Sequence, residues 1–128
     1  MKYKDGVVFW GKVSYNGTFH LVELKEEMQY AAREMDQISR EETNNEIIIV
    51  SAIEGKHSPT SKHPEGLAID VRSWIYRDAE KQVLLRRWNM KLNPDWDYDT
   101  RKGKKNYDII LENPGEKNEH FHIEYDPR

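Results

Sequence analysis

The sequence predicts an α+β domain with an antiparallel central sheet and flanking helices. Two segments repeat apolar residues at helical spacing, and short β-rich runs lie between and after them. The last two runs are joined by a short turn-rich stretch rather than a helical crossover, which argues against a doubly wound parallel sheet. No linker or internal repeat divides the 128 residues, a length that suits one core.

In chain order, Val7–Trp10 and Thr18–Val22 are β-rich runs. Between them Tyr15-Asn16-Gly17 contains the Asn-Gly pair of tight hairpins. Glu23 to about Arg40 reads as a helix, with Leu24, Met28, Ala32, Met35 and Ile38 as one apolar stripe. Glu46–Ile53 holds Ile47-Ile48-Ile49-Val50, the composition of a buried strand. Gly66–Arg72 is a further strand, with Leu67, Ile69 and Val71 on one face. Asp78 can cap a second helix to about Leu92, with Ala79, Val83, Leu84, Trp88 and Leu92 inward. Asn93–Asn106 reads as a polar loop. Tyr107–Leu111 and His120–Tyr125 are closing strands, with Asn113-Pro114-Gly115 as turn residues between them.

Composition excludes several functions. Aromatic residues make up 11%, too many for a disordered chain. The formal charge of −3 gives no basic footprint for nucleic acid. With no cysteine, disulfides and thiolate metal sites are ruled out, so any metal must be held by histidine and carboxylate. No apolar stretch is long enough to span a membrane. The segment Met1–Gly6 lacks the apolar run of a signal peptide, so the chain is expected to be made in the cytoplasm and to act elsewhere only after release.

Four of the five histidines fall into two groups: His57 and His63, followed by Asp70, and then His120 and His122. Residues two apart on a strand share a face, so His120 and His122 should point into one space. Asp70 has the opposite parity to Leu67, Ile69 and Val71 and should face away from the apolar stripe. Two imidazoles and a carboxylate suit a catalytic zinc, which takes three protein ligands and keeps one position open for water. A carboxylate beside that water would act as general base, and Glu119, next to the second histidine group, is the natural candidate.

The segment Ser61-Lys62-His63-Pro64-Glu65-Gly66-Leu67-Ala68-Ile69-Asp70 matches the pattern S-x-H-x-x-G-x-A-x-D at every fixed position, and Glu119-His120-Phe121-His122 matches a later E-x-x-H and H-x-H signature. Together they resemble the zinc D-alanyl-D-alanine carboxypeptidases, the D-Ala-D-Ala dipeptidases and the phage endolysin peptidases, which share the Hedgehog/DD-peptidase fold. The resemblance covers residues 46–128 and the helix before them. It implies one zinc per chain on His63, Asp70 and His122, Glu119 as catalytic carboxylate, and His120 as the histidine that steadies developing charge. Ser61 matches a serine that shapes the loop, and Gly66 and Ala68 are small where the pattern is small. Lys56, His57, Ser61 and Arg72 are candidates for contacts to substrate or to the ligands.

Relatives that bind a terminal D-alanine usually carry an arginine shortly before the first motif, and Ser51–Ser58 contains none. Lys56 or His57 could stand there, although lysine offers a point charge and no planar fork. Gly55-Lys56-His57 is closer to short phage-type members. The resemblance therefore implies a monomeric peptidase acting on peptidoglycan stem peptides, as an L-alanyl-D-glutamate endopeptidase. The alternatives are a D-alanyl-D-alanine carboxypeptidase and a non-catalytic, zinc-stabilised wall-binding module. Neither nucleic acid nor membrane is an expected partner. Because Glu119 and His122 differ in parity, Glu119 needs irregular backbone, and Asn118 favours a turn there.

The remaining features have plainer readings. His20 reads as a structural histidine. Asp95, Asp97 and Asp99 alternate like a calcium loop, but Thr100 and Asn106 stand where that loop needs glycine and a bidentate glutamate, so a solvated acidic loop is expected. The run Arg101–Lys105 is a solvated loop that could attract an anionic wall polymer. Trp74 and Trp96 suit either a substrate groove or half-buried packing.

Overall fold

The computed structural model describes residues 1–4, 6–9, 12–14, 24–52, 61–63 and 65–128, with 6–9 and 12–14 described as backbone. Its elements are β1 (Lys2–Tyr3), β2 (Gly6–Phe9), β3 (Lys12–Ser14), α1 (Glu26–Thr43), β4 (Ile48–Ser51), β5 (Ala68–Arg72), α2 (Asp78–Leu92), β6 (Trp96–Asp97), β7 (Lys102–Gly103), β8 (Tyr107–Glu112) and β9 (His120–Tyr125). Seven strands form one sheet in the order β3-β2-β1-β4-β5-β9-β8, and β6 and β7 pair separately. The protein is a small α+β domain.

The sheet is mixed, which corrects the antiparallel expectation. β1 and β4 are parallel, with Lys2 opposite Ile48, while the other pairings of the sheet are antiparallel. A parallel pair needs a crossover, and α1 lies between β1 and β4 in the chain to supply it. The hairpin β2–β3 is paired with Phe9 opposite Lys12. The expected run Thr18–Val22 and the Asn16-Gly17 turn lie outside the described residues.

α1 begins three residues later than the stripe suggested and runs further, to Thr43. Leu24 is buried but precedes the helix. Glu26 and Glu27 sit in the first turn, where the helix dipole favours negative charge. Asn44 ends the helix in the left-handed conformation, φ 63°, and its N–H bonds Arg40 O. At the start of α2 the cap is Arg77, whose N–H is taken by Glu80 Oε1 at 2.9 Å, and Asp78 is the first helical residue. The buried face of α2 is Lys81, Leu84, Trp88, Asn89 and Leu92. Ala79 and Val83 are exposed, against expectation. At 100° per residue they fall outside the arc centred on Leu84 and Trp88.

Both helices cover one face of the sheet. Met28, Ala31, Ala32, Met35 and Ile38 of α1 join Leu84 and Trp88 of α2 against Ile49, Ile69, Val71, Ile109, Phe121 and Ile123 of the strands. Phe121 meets the Trp88 ring edge-on, with centroids 4.8 Å apart, and Trp88 Nε1 donates to Met35 O at 3.2 Å. Asn93, fully buried, fixes the start of β8. Its Oδ1 accepts the N–H groups of Asn106 and Tyr107 at 2.8 and 2.7 Å, and its Nδ2 donates to Tyr107 O at 2.9 Å.

The expected polar loop Asn93–Asn106 contains the β6–β7 hairpin, with Trp96 opposite Gly103. Gly103 has φ +114°, and a Cβ there would collide with the Asp95 carbonyl oxygen, so only glycine closes this hairpin. Trp96 is buried beneath Lys105, whose Nζ lies 4.4 Å from the ring centroid. Asp97 Oδ1 accepts the N–H groups of Asp99 and Thr100, and Asp99 is forked by Arg86.

Phe121 is the point where the helix layer grips the strand that carries His120 and His122. Phe121→Ala is expected to cost about 3–5 kcal/mol in urea unfolding, with loss of cooperativity in β9. A cost below about 1 kcal/mol would show that Phe121 does not anchor this strand.

Candidate metal centre and adjoining cleft

The face of the sheet opposite the helices carries the polar residues. In the β5–β9 ladder Asp70 is directly opposite His122, Arg72 opposite His120, and Ala68 opposite Glu124. In the β8–β9 ladder Glu112 is opposite His120. Ile69, Val71, Phe121 and Ile123 alternate with these residues and are fully buried. Period-two geometry thus puts Asp70, His120, His122 and Glu124 on one surface.

His63 reaches this surface from the turn before β5. Ser61 Oγ accepts the His63 N–H at 3.1 Å, His63 O accepts the Gly66 N–H at 2.9 Å, and Gly66 takes φ 74° to turn the chain into the strand. The His63 side chain is buried. Its Nδ1 donates to Ala52 O at 2.7 Å, which turns Nε2 toward Asp70 Oδ1, 3.3 Å away.

His63, Asp70 and His122 each offer a donor atom, and all three lie within 4.8 Å of one another. Tetrahedral bonds of 2.0–2.2 Å put donors about 3.3–3.6 Å apart, and the His63–Asp70 separation already fits. His122 Nδ1 is closer to Asp70 Oδ1, at 2.8 Å, a hydrogen bond that a metal would open. The other nitrogen of His122 lies 2.9 Å from Glu124 Oε1, the histidine–carboxylate contact that orients zinc ligands. Both imidazoles therefore have their non-ligating nitrogen tied down, and the donor chemistry suits zinc.

Charge holds the cluster together. Burial pushes the Asp70 carboxyl up, but hydrogen bonds from His122 and His63 outweigh it and hold the carboxyl far below the usual carboxylate range. Burial disfavours the charged His122 imidazole, yet its bonds to Asp70 and Glu124 raise its pKa to about 9. A metal would take the place of the proton on Nδ1.

His120 points to the same surface. Its Nδ1 is 2.8 Å from Asn118 O, and its Nε2 lies 3.7 Å from Asp70 Oδ1 and 3.6 Å from Glu112 Oε1. Asp70, Glu112 and His120 form a second set of possible metal donors. Glu119 precedes β9 in a turn, its N–H bonded to Glu116 O, so strand parity does not constrain it. Its carboxylate is gripped by Lys81 Nζ at 2.7 Å, Ser73 Oγ at 2.6 Å and the Gly115 N–H at 2.8 Å. Lys81 first, then Ser73 and Gly115, pull its pKa down to about 2.

Glu119, His120, Asp70 and Arg72 all line one cleft of about 310 Å³, with Trp74 at its rim and 70% exposed. Lys56 and His57 lie outside the described residues, as does His20. The partners Glu112, Glu124, Lys81 and Ser73 were not anticipated. Glu124 was within reach, since positions 120, 122 and 124 share a face. Lys81 and Ser73 lie 38 and 46 positions from Glu119 and meet it only in the fold. Compared with protein-family models, with curated proteins and with solved structures, the chain matches none. Among the described residues no helix is long and apolar enough to cross a membrane.

Two outcomes are expected. Elemental analysis should find about one zinc per chain, lost in His122→Ala, while Glu124→Gln should weaken zinc about 10–100-fold in a chelator competition. Unchanged zinc affinity in Glu124→Gln would remove Glu124 from the centre. The second concerns acid. Glu119 has a folded pKa of about 2 against an ordinary 4.5, so its stabilisation is full above 4.5 and disappears as pH falls through 2. The urea midpoints of wild type and Glu119→Gln should differ most above pH 4.5 and converge near pH 2. A constant gap would show that the Lys81–Glu119 pair does not titrate with folding.

Proposed function

We propose that the chain is a zinc peptidase of the Hedgehog/DD-peptidase-like kind that hydrolyses peptidoglycan stem peptides as an L-alanyl-D-glutamate endopeptidase. One observation carries the reading: the donor atoms of His63, Asp70 and His122 converge beside a cleft lined by Glu119 and His120. Bound zinc would supply Lewis acidity toward the scissile carbonyl and lower the pKa of water. His63, Asp70 and His122 are the residues to hold it, with Ala52 O and Glu124 fixing the two imidazoles.

Glu119 takes the proton of the attacking water and returns it to the leaving amine, so no proton is gained or lost over the cycle. While Lys81 and Ser73 hold its carboxylate, Glu119 is a weak base, and substrate entry must loosen that grip for the step to run. His120, held through Nδ1 by Asn118 O, turns its other ring nitrogen toward Asp70 and the cleft, where it would steady the negative oxygen of the tetrahedral intermediate.

A second reading, a zinc-stabilised wall-binding module without hydrolysis, rests on the same grip of Lys81, Ser73 and Gly115 on Glu119.

Digestion of purified sacculi separates these readings. An endopeptidase exposes new amino groups on D-glutamate, a carboxypeptidase releases D-alanine, and a binding module sediments with sacculi and releases nothing. Glu119→Ala is expected to keep zinc and lose about 10²–10⁴-fold in rate. Turnover at the wild-type rate in that variant would overturn the base assignment.

A further inference from the structure

The cleft beside the metal donors has an unbalanced set of charges. Its walls hold two carboxylates, Asp70 and Glu119, and three cations, Lys4, Arg72 and Lys117. Both carboxylates are engaged elsewhere: Asp70 with His63 and His122, Glu119 with Lys81 and Ser73. Among the described residues, none of the three cations has a carboxylate within ion-pair distance. Lys4 lies over the Tyr3 ring at 5.9 Å, and the Arg72 guanidinium stacks over Trp74 at 4.9 Å from the ring centroid. A concave site with spare charge of one sign concentrates ligands of the other.

We infer that Arg72, stacked on Trp74 and supported by Lys4 and Lys117, binds a free carboxylate on the peptide residue next to the scissile bond. Three features point to a carboxylate. A guanidinium is a planar fork that matches a carboxylate with two parallel bonds, and stacking on an indole orients that fork in advance. Arg72 lies two residues beyond Asp70 on β5, on the same face, which is about 6–7 Å along the strand. That span suits a carboxylate one residue from a carbonyl held at the metal donors. The exposed Trp74 ring also gives the peptide an apolar ledge at the rim. The inference rests on the peptidase reading and names its substrate class: the D-glutamate after an L-alanyl bond carries such a carboxylate when it is not amidated.

The experiment uses two matched stem peptides, one with the D-glutamyl carboxylate free and one with it as carboxamide. Each is titrated into the zinc-loaded wild type and Arg72→Gln by calorimetry, and cleavage is followed in parallel. Wild type is expected to bind the free acid about tenfold or more tightly than the amide. Arg72→Gln should lose that preference, and Arg72→Lys should restore only part of it. Lys117→Gln is the second variant should Arg72→Gln fail to fold, and it is expected to reduce the preference about two- to fivefold. Equal binding of both peptides by wild type, no binding of either, or a preference intact in Arg72→Gln would overturn the assignment. A preference without cleavage would keep the carboxylate site and remove the peptidase reading, whereas cleavage without preference would do the reverse.

Discussion

The antiparallel ladder between β5 and β9 is the constraint on which the rest of the molecule depends. On one side of it Ile69, Val71, Phe121 and Ile123 are fully buried against the helices. On the other, Asp70 and His122 face each other across the same ladder. Each of those apolar side chains contributes roughly 1.5–3 kcal/mol when buried. That energy fixes the register, because a slip of one residue would turn Asp70 into the core and Ile69 outward. The core and the metal donors are therefore specified by one pairing.

The polar face has its own logic. Charges this close to a packed core persist only when partnered. Asp70 is bonded to His122 and lies against the His63 ring, each imidazole is held at its other nitrogen, and Glu119 has three donors. No buried side-chain polar atom among the described residues lacks a hydrogen-bond partner. Such a network gives the donors fixed positions before any ligand arrives, which is what a metal centre requires. Among the described residues the cleft cations Lys4, Arg72 and Lys117 have no such ion pair, which sets that wall apart.

α2 connects the two systems. Leu84 and Trp88 pack into the core, while Lys81 on the same buried face reaches Glu119 at the head of β9. The helix that covers the sheet also lowers the basicity of the candidate base. Any loosening of Glu119 therefore acts on a lysine whose backbone is held by helix packing rather than on a free surface side chain.

Much of this was legible in sequence because it depends on local periodicity. The alternation Ile69-Asp70-Val71 and His120-Phe121-His122-Ile123 prescribes which side chains share a face, whatever lies around them. The small Gly66 and the turn residues at 113–115 mark where the chain bends, since positive φ at Asn113 and Gly115 follows from local sterics. Long-range geometry was not legible. The parallel pairing of β1 with β4 joins segments far apart in the chain, whereas the small hairpin inside the polar loop and the exposure of Ala79 and Val83 are local features that composition did not mark. By itself the sequence determined which histidines and carboxylates could serve as metal donors and, for Asp70, His120 and His122, the strand face that carries them, because that face follows from a two-residue repeat. Only the tertiary structure decided that Lys81 and Ser73 grip Glu119, that Glu124 backs His122, and that Arg72 has no acidic partner among the described residues. Those contacts arise from how the helix and strands pack, and no local pattern records it.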